Sequence, residues 1–230
     1  MTERTVSYST FCCLKDRDRA EKSYMDHMYS HGFVFDEKFM VFQRCEPFEL
    51  RPIFKPLPIK EEDYKGILAS VGVPYPDDVL SELTHGWTAN HYFAHHLVNH
   101  IVASQAASSD YLVFADGDCC ITETPVGGPT WVEEGIRILE RDDSVFVVSP
   151  SDGRPHGGKD RMMSQQMFLV NRKRFRHMEF IPWDGKFIDG GPFQEFYGLL
   201  EGFIYRHMVK YNLYRYVLPQ TWRWQHKEWH

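Results

Sequence analysis

Ser109-Asp110-Tyr111-Leu112-Val113-Phe114-Ala115-Asp116-Gly117-Asp118 is a short apolar run that ends in two carboxylates separated by one glycine. Residues 111–115 have the length and residue types of a buried strand, bounded by aspartate and glycine. A strand that ends this way carries Asp116 and Asp118 at the carboxyl edge of a sheet, where open α/β sheets bind ligands. Two hard oxygen ligands beside a flexible glycine suit Mg²⁺ or Mn²⁺ shared with a substrate phosphate.

The segments around this run alternate between strand and helix. Residues 6–14 read as a first strand, and 18–30 as a helix with Met25, Met28 and Tyr29 on one apolar face and Gly32 as its stop. A second strand follows at 33–42. Residues 44–63 contain Pro47, Pro52, Pro56 and Pro58 and read as a long surface loop. The helix predicted over 84–108 repeats Phe93, Leu97 and Ile101 at four-residue intervals and leads directly into the Asp-Gly-Asp strand. A helix over 130–139, strands over 144–149 and 166–170, a helix over 197–211 and an aromatic, histidine-bearing tail complete the chain. Such alternation predicts an α/β sandwich. One domain over 1–230 is expected, with 1–120 as a nucleotide-binding half and 121–230 as an acceptor-side half forming one wall of a cleft.

With 230 residues, 43% of them hydrophobic and 25% charged, the chain can bury one substantial core and reads as a globular enzyme. Its net charge of −6 argues against general nucleic-acid binding, which needs clustered Lys and Arg. No apolar run approaches the ~20 residues of a membrane span, and the first residues lack the apolar core of a secretory signal. A cytoplasmic protein without a transmembrane segment is the expectation. The cysteines (Cys12, Cys13, Cys45, Cys119 and Cys120) are odd in number and have no C-x-x-C spacing, so they read as buried free thiols.

Several competing motifs fall away on their residues. Phosphatases of the haloacid dehalogenase class also end a strand in Asp-x-Asp, but Cys119 and Cys120 follow here in place of their threonine. Residues 153–160 come near a P-loop, yet Asp160 stands where Ser or Thr would hold Mg²⁺, and a flexible substrate loop is the better reading. The first strand has no glycine after it until Gly32, which excludes a dinucleotide fingerprint there. His91 with His95, and His96 with His100, share helical spacing, and a polar helix face explains them without a metal. His226 and His230 pose the same question in the tail, among Trp222, Trp224 and Trp229, which suit either an acceptor platform or a dimer interface. Glu201 lies among apolar and aromatic neighbours, a setting that raises a carboxylate pKa toward general-base use, and Asp189 and Glu195 compete with it.

In the order of these parts the chain resembles a glycosyltransferase of the GT-A type, nearest in pattern to the family-2-like group, over most of its length. Residues 109–118 look like that family's "sdyivflDaD" strand. The resemblance implies a single-domain GT-A-like (Rossmann-like) α/β/α sandwich with a mixed, mostly parallel central sheet. It implies a nucleoside-diphosphate sugar donor, a glycan or small-molecule acceptor, and Mn²⁺ or Mg²⁺ as cofactor. Asp116, with Gly117, takes the place of the residues facing the ribose or donor sugar, and Asp118 that of the metal ligand. Thr10, Phe11 and Cys12 take the place where the base lies, and His226 that of a late histidine that completes some metal sites. Residues 198–201 stand where the family has Gly-Gly-Glu-Asp, which makes Glu201 the implied base, while Gly202 replaces the family's second acid. Gly157, Gly158 and Lys159 are expected to close over the donor. A sugar-1-phosphate nucleotidyltransferase and a non-catalytic nucleotide-sugar-binding module are the alternatives.

Overall fold

The computed structural model describes residues 4–13, 17–43, 47, 53–73, 89–151, 153, 156–163, 166–181 and 200–226. Ten strands and six α-helices lie in these residues: β1 (Val6–Cys13), α1 (Arg17–Ser30), β2 (Glu37–Gln43), β3 (Lys55–Ile59), α2 (Tyr64–Ala69), α3 (Ala89–Ala106), β4 (Tyr111–Ala115), β5 (Cys119–Ile121), α4 (Trp131–Arg141), β6 (Val145–Ser149), β7 (Gly158–Asp160), β8 (Met167–Asn171), α5 (Arg172–Arg176), α6 (Leu200–Lys210), β9 (Tyr214–Val217) and β10 (Trp224–His226).

Eight strands form one sheet in the order β3-β2-β1-β4-β8-β6-β9-β7, and β10 pairs with β5 in a separate ribbon. Strands β3, β2, β1, β4, β6 and β9 run one way, and β8 and β7 run against them. The expected mixed, mostly parallel sheet is therefore present. β4 is buried at every position, the burial expected for a strand covered on both faces.

Side chains alternate between two core layers. From β1 and β4, Val6, Tyr8, Cys12, Tyr111, Val113 and Ala115 face α1 and α4, where they meet Tyr24, Met28, Trp131 and Ile136. Leu112 and Phe114 face the other way, toward α2, α3, α5 and α6, with Leu68, Leu97, Phe175 and Ile204. Each Val, Leu, Ile, Phe or Met among them contributes about 1.5–3 kcal/mol relative to exposure. α4 starts at a capping box in which Thr130 Oγ1 accepts from the Glu133 N–H at 3.2 Å and Glu133 Oε2 accepts from the Thr130 N–H at 2.7 Å. It sits close on the sheet because residue 135 is glycine: a Cβ there would lie 2.7 Å from Leu169 Cδ2.

Several expectations change. The proline-bearing stretch holds an edge strand, β3, followed by a 3-10 turn at Glu61–Asp63 and by α2. Pro56 and Pro58 are two residues apart, so their missing N–H groups both face away from β2. Residues 158–160 are no closing loop. They form edge strand β7, at the far end of the sheet from β3, and Lys159 is tied to Asp142 at 2.6 Å. Gly157 is pressed on the next strand, where a Cβ would come 2.7 Å from the Val217 carbonyl oxygen. The aromatic, histidine-bearing tail, to which no element was assigned, contains two strands, β9 and β10. On α1, Tyr29 is exposed, and the inward face is Ala20, Tyr24, His27 and Met28. His100 is buried and stacks on Phe168, with centroids 5.8 Å apart, so it does not belong to a solvated helix face. The side chains of His91, His95 and His96 lie outside the described residues.

Candidate functional site

β4 ends at Ala115, and the chain turns at once. The Cys119 N–H donates to the Asp116 carbonyl at 3.0 Å, closing a four-residue turn over Asp116, Gly117, Asp118 and Cys119. The Asp116 N–H donates to the Gln166 carbonyl at 2.7 Å, which extends the β4–β8 ladder by one step and sets where the turn begins. Both aspartates are half-buried, at the carboxyl edge of a central strand.

Helix α1 clamps this turn from below. The Tyr24 ring lies so close to Gly117 that a Cβ would come 2.0 Å from Tyr24 Cζ. Nδ1 of the buried His27 hydrogen-bonds to the Gly117 carbonyl; the carbonyl can only accept, so Nδ1 carries the proton. Ser30 Oγ accepts from the Ile121 N–H at 2.9 Å and holds β5 as it leaves the turn. Tyr24, His27 and Ser30 were missed in the sequence. Their signal was the i, i+3 spacing on α1 facing the aspartate turn, but the methionines beside them offered a more obvious apolar stripe.

β10 approaches from the other side. It runs antiparallel to β5 with Cys119 opposite His226, and the Arg223 carbonyl accepts from the Thr122 N–H at 2.8 Å. His226 Nδ1 thereby lies 3.2 Å from Asp118 Oδ2, with both side chains 42% exposed and open to a ligand. Trp224 contacts the His226 ring edge-on at 5.2 Å, which limits how the imidazole can turn. Trp222 and Trp224 pack on the core layer of α1 and α4, and Trp222 Nε1 donates to the Pro129 carbonyl at 3.1 Å. Their role is to seat β10. Trp229 and His230 lie outside the described residues.

Asp118, Cys119 and His226 each offer one ligand atom within 4.8 Å of the others. A carboxylate and an imidazole 3.2 Å apart, both reached from solvent, fit a divalent cation. Burial pushes the Cys119 thiol well above its ordinary range, and the Asp116 and Asp118 carboxylates push it further. Burial likewise raises the Tyr8 phenol, which lies under the turn close to Cys119 and Asp116. Both groups are neutral beside the acids.

β1 supplies the neighbouring wall. Ser9 stands opposite Phe114, so in the same register Thr10 and Phe11 flank Ala115 and Asp116. Thr10 and Cys12 are buried, while Phe11 is half-buried on the opposite face. Glu201 lies in the first turn of α6 and is half-buried. α6 runs toward the amino edge to feed β9, which is parallel to β6, so its first turn is at the carboxyl-edge end. Asp189 and Glu195 lie outside the described residues.

Neither a protein-family model nor any curated protein sequence matches the chain. Solved structures match it. Glucosyl-3-phosphoglycerate synthase from Mycobacterium tuberculosis, in complex with Mg²⁺ and uridine diphosphate, superposes with a TM-score of 0.50 at 14% identity, covering 99% of this chain and 73% of that one. The same enzyme with Mn²⁺, uridine diphosphate and phosphoglyceric acid gives 0.50 at 14%, over 99% and 72%. Its complex with Mn²⁺, uridine diphosphate and glucosyl-3-phosphoglycerate gives 0.50 at 15%, over 99% and 73%. The chain has the GT-A-type fold. At this identity the likeness establishes architecture, and the chemistry rests on the site. No helix among the described residues is long and apolar enough to cross a membrane.

Proposed function

We propose that the chain is a metal-dependent glycosyltransferase that moves a sugar from a nucleoside-diphosphate sugar to an acceptor hydroxyl. One observation carries this reading. Asp118 and His226, far apart in sequence, meet at 3.2 Å on the carboxyl edge of a GT-A-type sheet, beside Asp116. The neighbours of the same fold were solved with uridine diphosphate and Mg²⁺ or Mn²⁺, which favours a nucleotide-sugar donor and either of those cations here.

In this reading residues 1–120 hold the nucleotide and 121–230 face the acceptor. The two halves share one sheet through the β4–β8 pairing, so a donor and an acceptor can be held in fixed relation. Phe11, with Thr10 and Cys12 behind it, borders the base. Asp116 accepts hydrogen bonds from ribose or sugar hydroxyls, and Gly117, packed on the Tyr24 ring, holds the turn that presents both aspartates to the nucleotide sugar. Asp118 and His226 would hold the divalent cation. That cation, when bound, supplies Lewis-acid stabilisation of charge on the leaving diphosphate. Glu201 takes the proton of the acceptor hydroxyl on a carboxylate oxygen, with Asp189 as the alternative base. A cytoplasmic setting accords with cysteines that are odd in number and lack C-x-x-C spacing.

Calorimetric titration with UDP and with GDP, each with Mn²⁺ and again with EDTA, tests the reading. The expected result is binding of one nucleotide that disappears on chelation. Absence of binding by either nucleotide under every condition sinks the donor assignment.

A further inference from the structure

The aspartate turn carries a third ligating atom that the roles above leave unused. Cys119 follows Asp118 directly, and its partner across the β5–β10 ribbon is His226. Opposed residues of an antiparallel pair project to the same face, so the thiol and the imidazole share the space beside the Asp118 carboxylate. Cys119 Sγ lies 3.7 Å from His226 Nδ1 and 3.7 Å from Asp118 Oδ1. His226 Nδ1 lies 3.2 Å from the other oxygen of that carboxylate, Asp118 Oδ2.

The sulfur approaches one oxygen of the Asp118 carboxylate and the imidazole approaches the other, and one ligand atom from each residue lies within 4.8 Å of the other two. The donor set discriminates among cations: one sulfur, one nitrogen and one oxygen suit a four-coordinate, borderline-soft ion, whereas Mg²⁺ is held by oxygen alone. Cys119 is fully buried while the other two side chains are open to solvent, so sulfur forms the floor of the set and the fourth position faces outward. Three protein ligands with one open position are the arrangement of catalytic zinc-class sites.

We propose that Asp118, Cys119 and His226 together form a three-ligand site that takes a borderline-soft cation, Zn²⁺ or Co²⁺, in preference to Mg²⁺. This inference rests on the placement of the donor's metal at Asp118 and His226, and adds to it the identity of the third ligand and the selectivity that follows. A thiolate favours the later first-row ions and offers little to Mg²⁺, which demands oxygen ligands and keeps its waters. When the sulfur–metal bond forms, the S–H bond breaks and the proton passes to solvent, with no electron transferred.

Co²⁺ titrated into the metal-free protein, without nucleotide, reads the third ligand directly. The expected spectrum has a sulfur-to-cobalt charge-transfer band in the near ultraviolet and the strong visible bands of four-coordinate cobalt. Cys119→Ser should abolish the charge-transfer band and weaken Zn²⁺ binding by about tenfold or more, since even a lost outer partner of a ligand costs 10–100-fold. Cys120→Ser should keep the band, because Cys120 is on the opposite face and donates to the Gln225 carbonyl at 3.8 Å. X-ray absorption of the Zn²⁺-loaded wild type, showing one sulfur at about 2.3 Å, needs no variant and stands even if Cys119→Ser fails to fold. Co²⁺ binding without sulfur in either spectrum overturns the proposal while leaving Asp118 and His226 as the metal site. Failure of the wild type to bind Co²⁺, Zn²⁺ or Mn²⁺ at all overturns both.

Discussion

At Gly117 the chain has no room for a methyl group, because the Tyr24 ring occupies the place of a Cβ at 2.0 Å. The glycine between the two aspartates is therefore a packing requirement, and its φ is not among the positive values of the chain. Gly117→Ala should cost about 1–3 kcal/mol in denaturant unfolding and weaken metal-dependent nucleotide binding; adding Tyr24→Ala should recover part of both. Wild-type stability in the single variant would show that Tyr24 does not pin the turn. A second residue, Glu37, governs acid stability. Burial alone would raise its pKa, but the Ser108 N–H, the Ser7 hydroxyl and Lys55 more than offset this and bring it to about 2, from an ordinary 4.5. A folded pKa below the unfolded one stabilises above the unfolded value and is lost as pH falls through the folded one. Unfolding free energy should therefore drop by about 2–3 kcal/mol between pH 4.5 and pH 2. Glu37→Gln should flatten that part of the pH profile.

Among the elements, the ribbon of β5 and β10 has a function separable from the main sheet. It contributes no strand to the eight-stranded sheet, yet it delivers His226 to Asp118 and Cys119. Ending the chain after Arg223 removes β10 and keeps Trp222 on its core contact. Far-ultraviolet circular dichroism of that truncated chain should match the full chain, while its Mn²⁺ affinity falls by about tenfold or more. Unchanged affinity would mean that His226 is not a ligand. Of the strands that went unread in the sequence, β5 and β10 are only three residues long, and β3, β7 and β9 were hidden for other reasons. β3 and β7 are edges, where prolines and glycines are tolerated. β9 carries Arg215, buried but neutralised by Asp160 at 3.3 Å, which hides a core strand behind a charge. In contrast, β4 and β6 were legible as short apolar runs bounded by turn residues, and α4 by apolar residues at helical period behind a capping box.

On the scale of the molecule, the sheet joins β1 to β4 from the first half with β8, β6 and β9 from the second, so ligand binding at the aspartate turn is coupled to the stability of the whole. UDP with Mn²⁺ at a hundredfold excess over Kd should add about 2.7 kcal/mol and raise the unfolding midpoint by about 5–10 °C. EDTA should erase the shift, and a shift that survives EDTA would separate nucleotide binding from the metal. The sequence by itself determined the α/β class, the buried strand ending at Ala115, and the placement of Asp116 and Asp118 at its edge. These follow from hydrophobic period and turn chemistry, which act over a few residues. The pairing of His226 with Asp118, the clamp of Tyr24 and His27 on Gly117, and the turning of Cys119 toward the same ligands belong to the tertiary structure alone. They depend on the register between β5 and β10 and on how closely α1 packs under β4, and neither leaves a periodic trace in the chain.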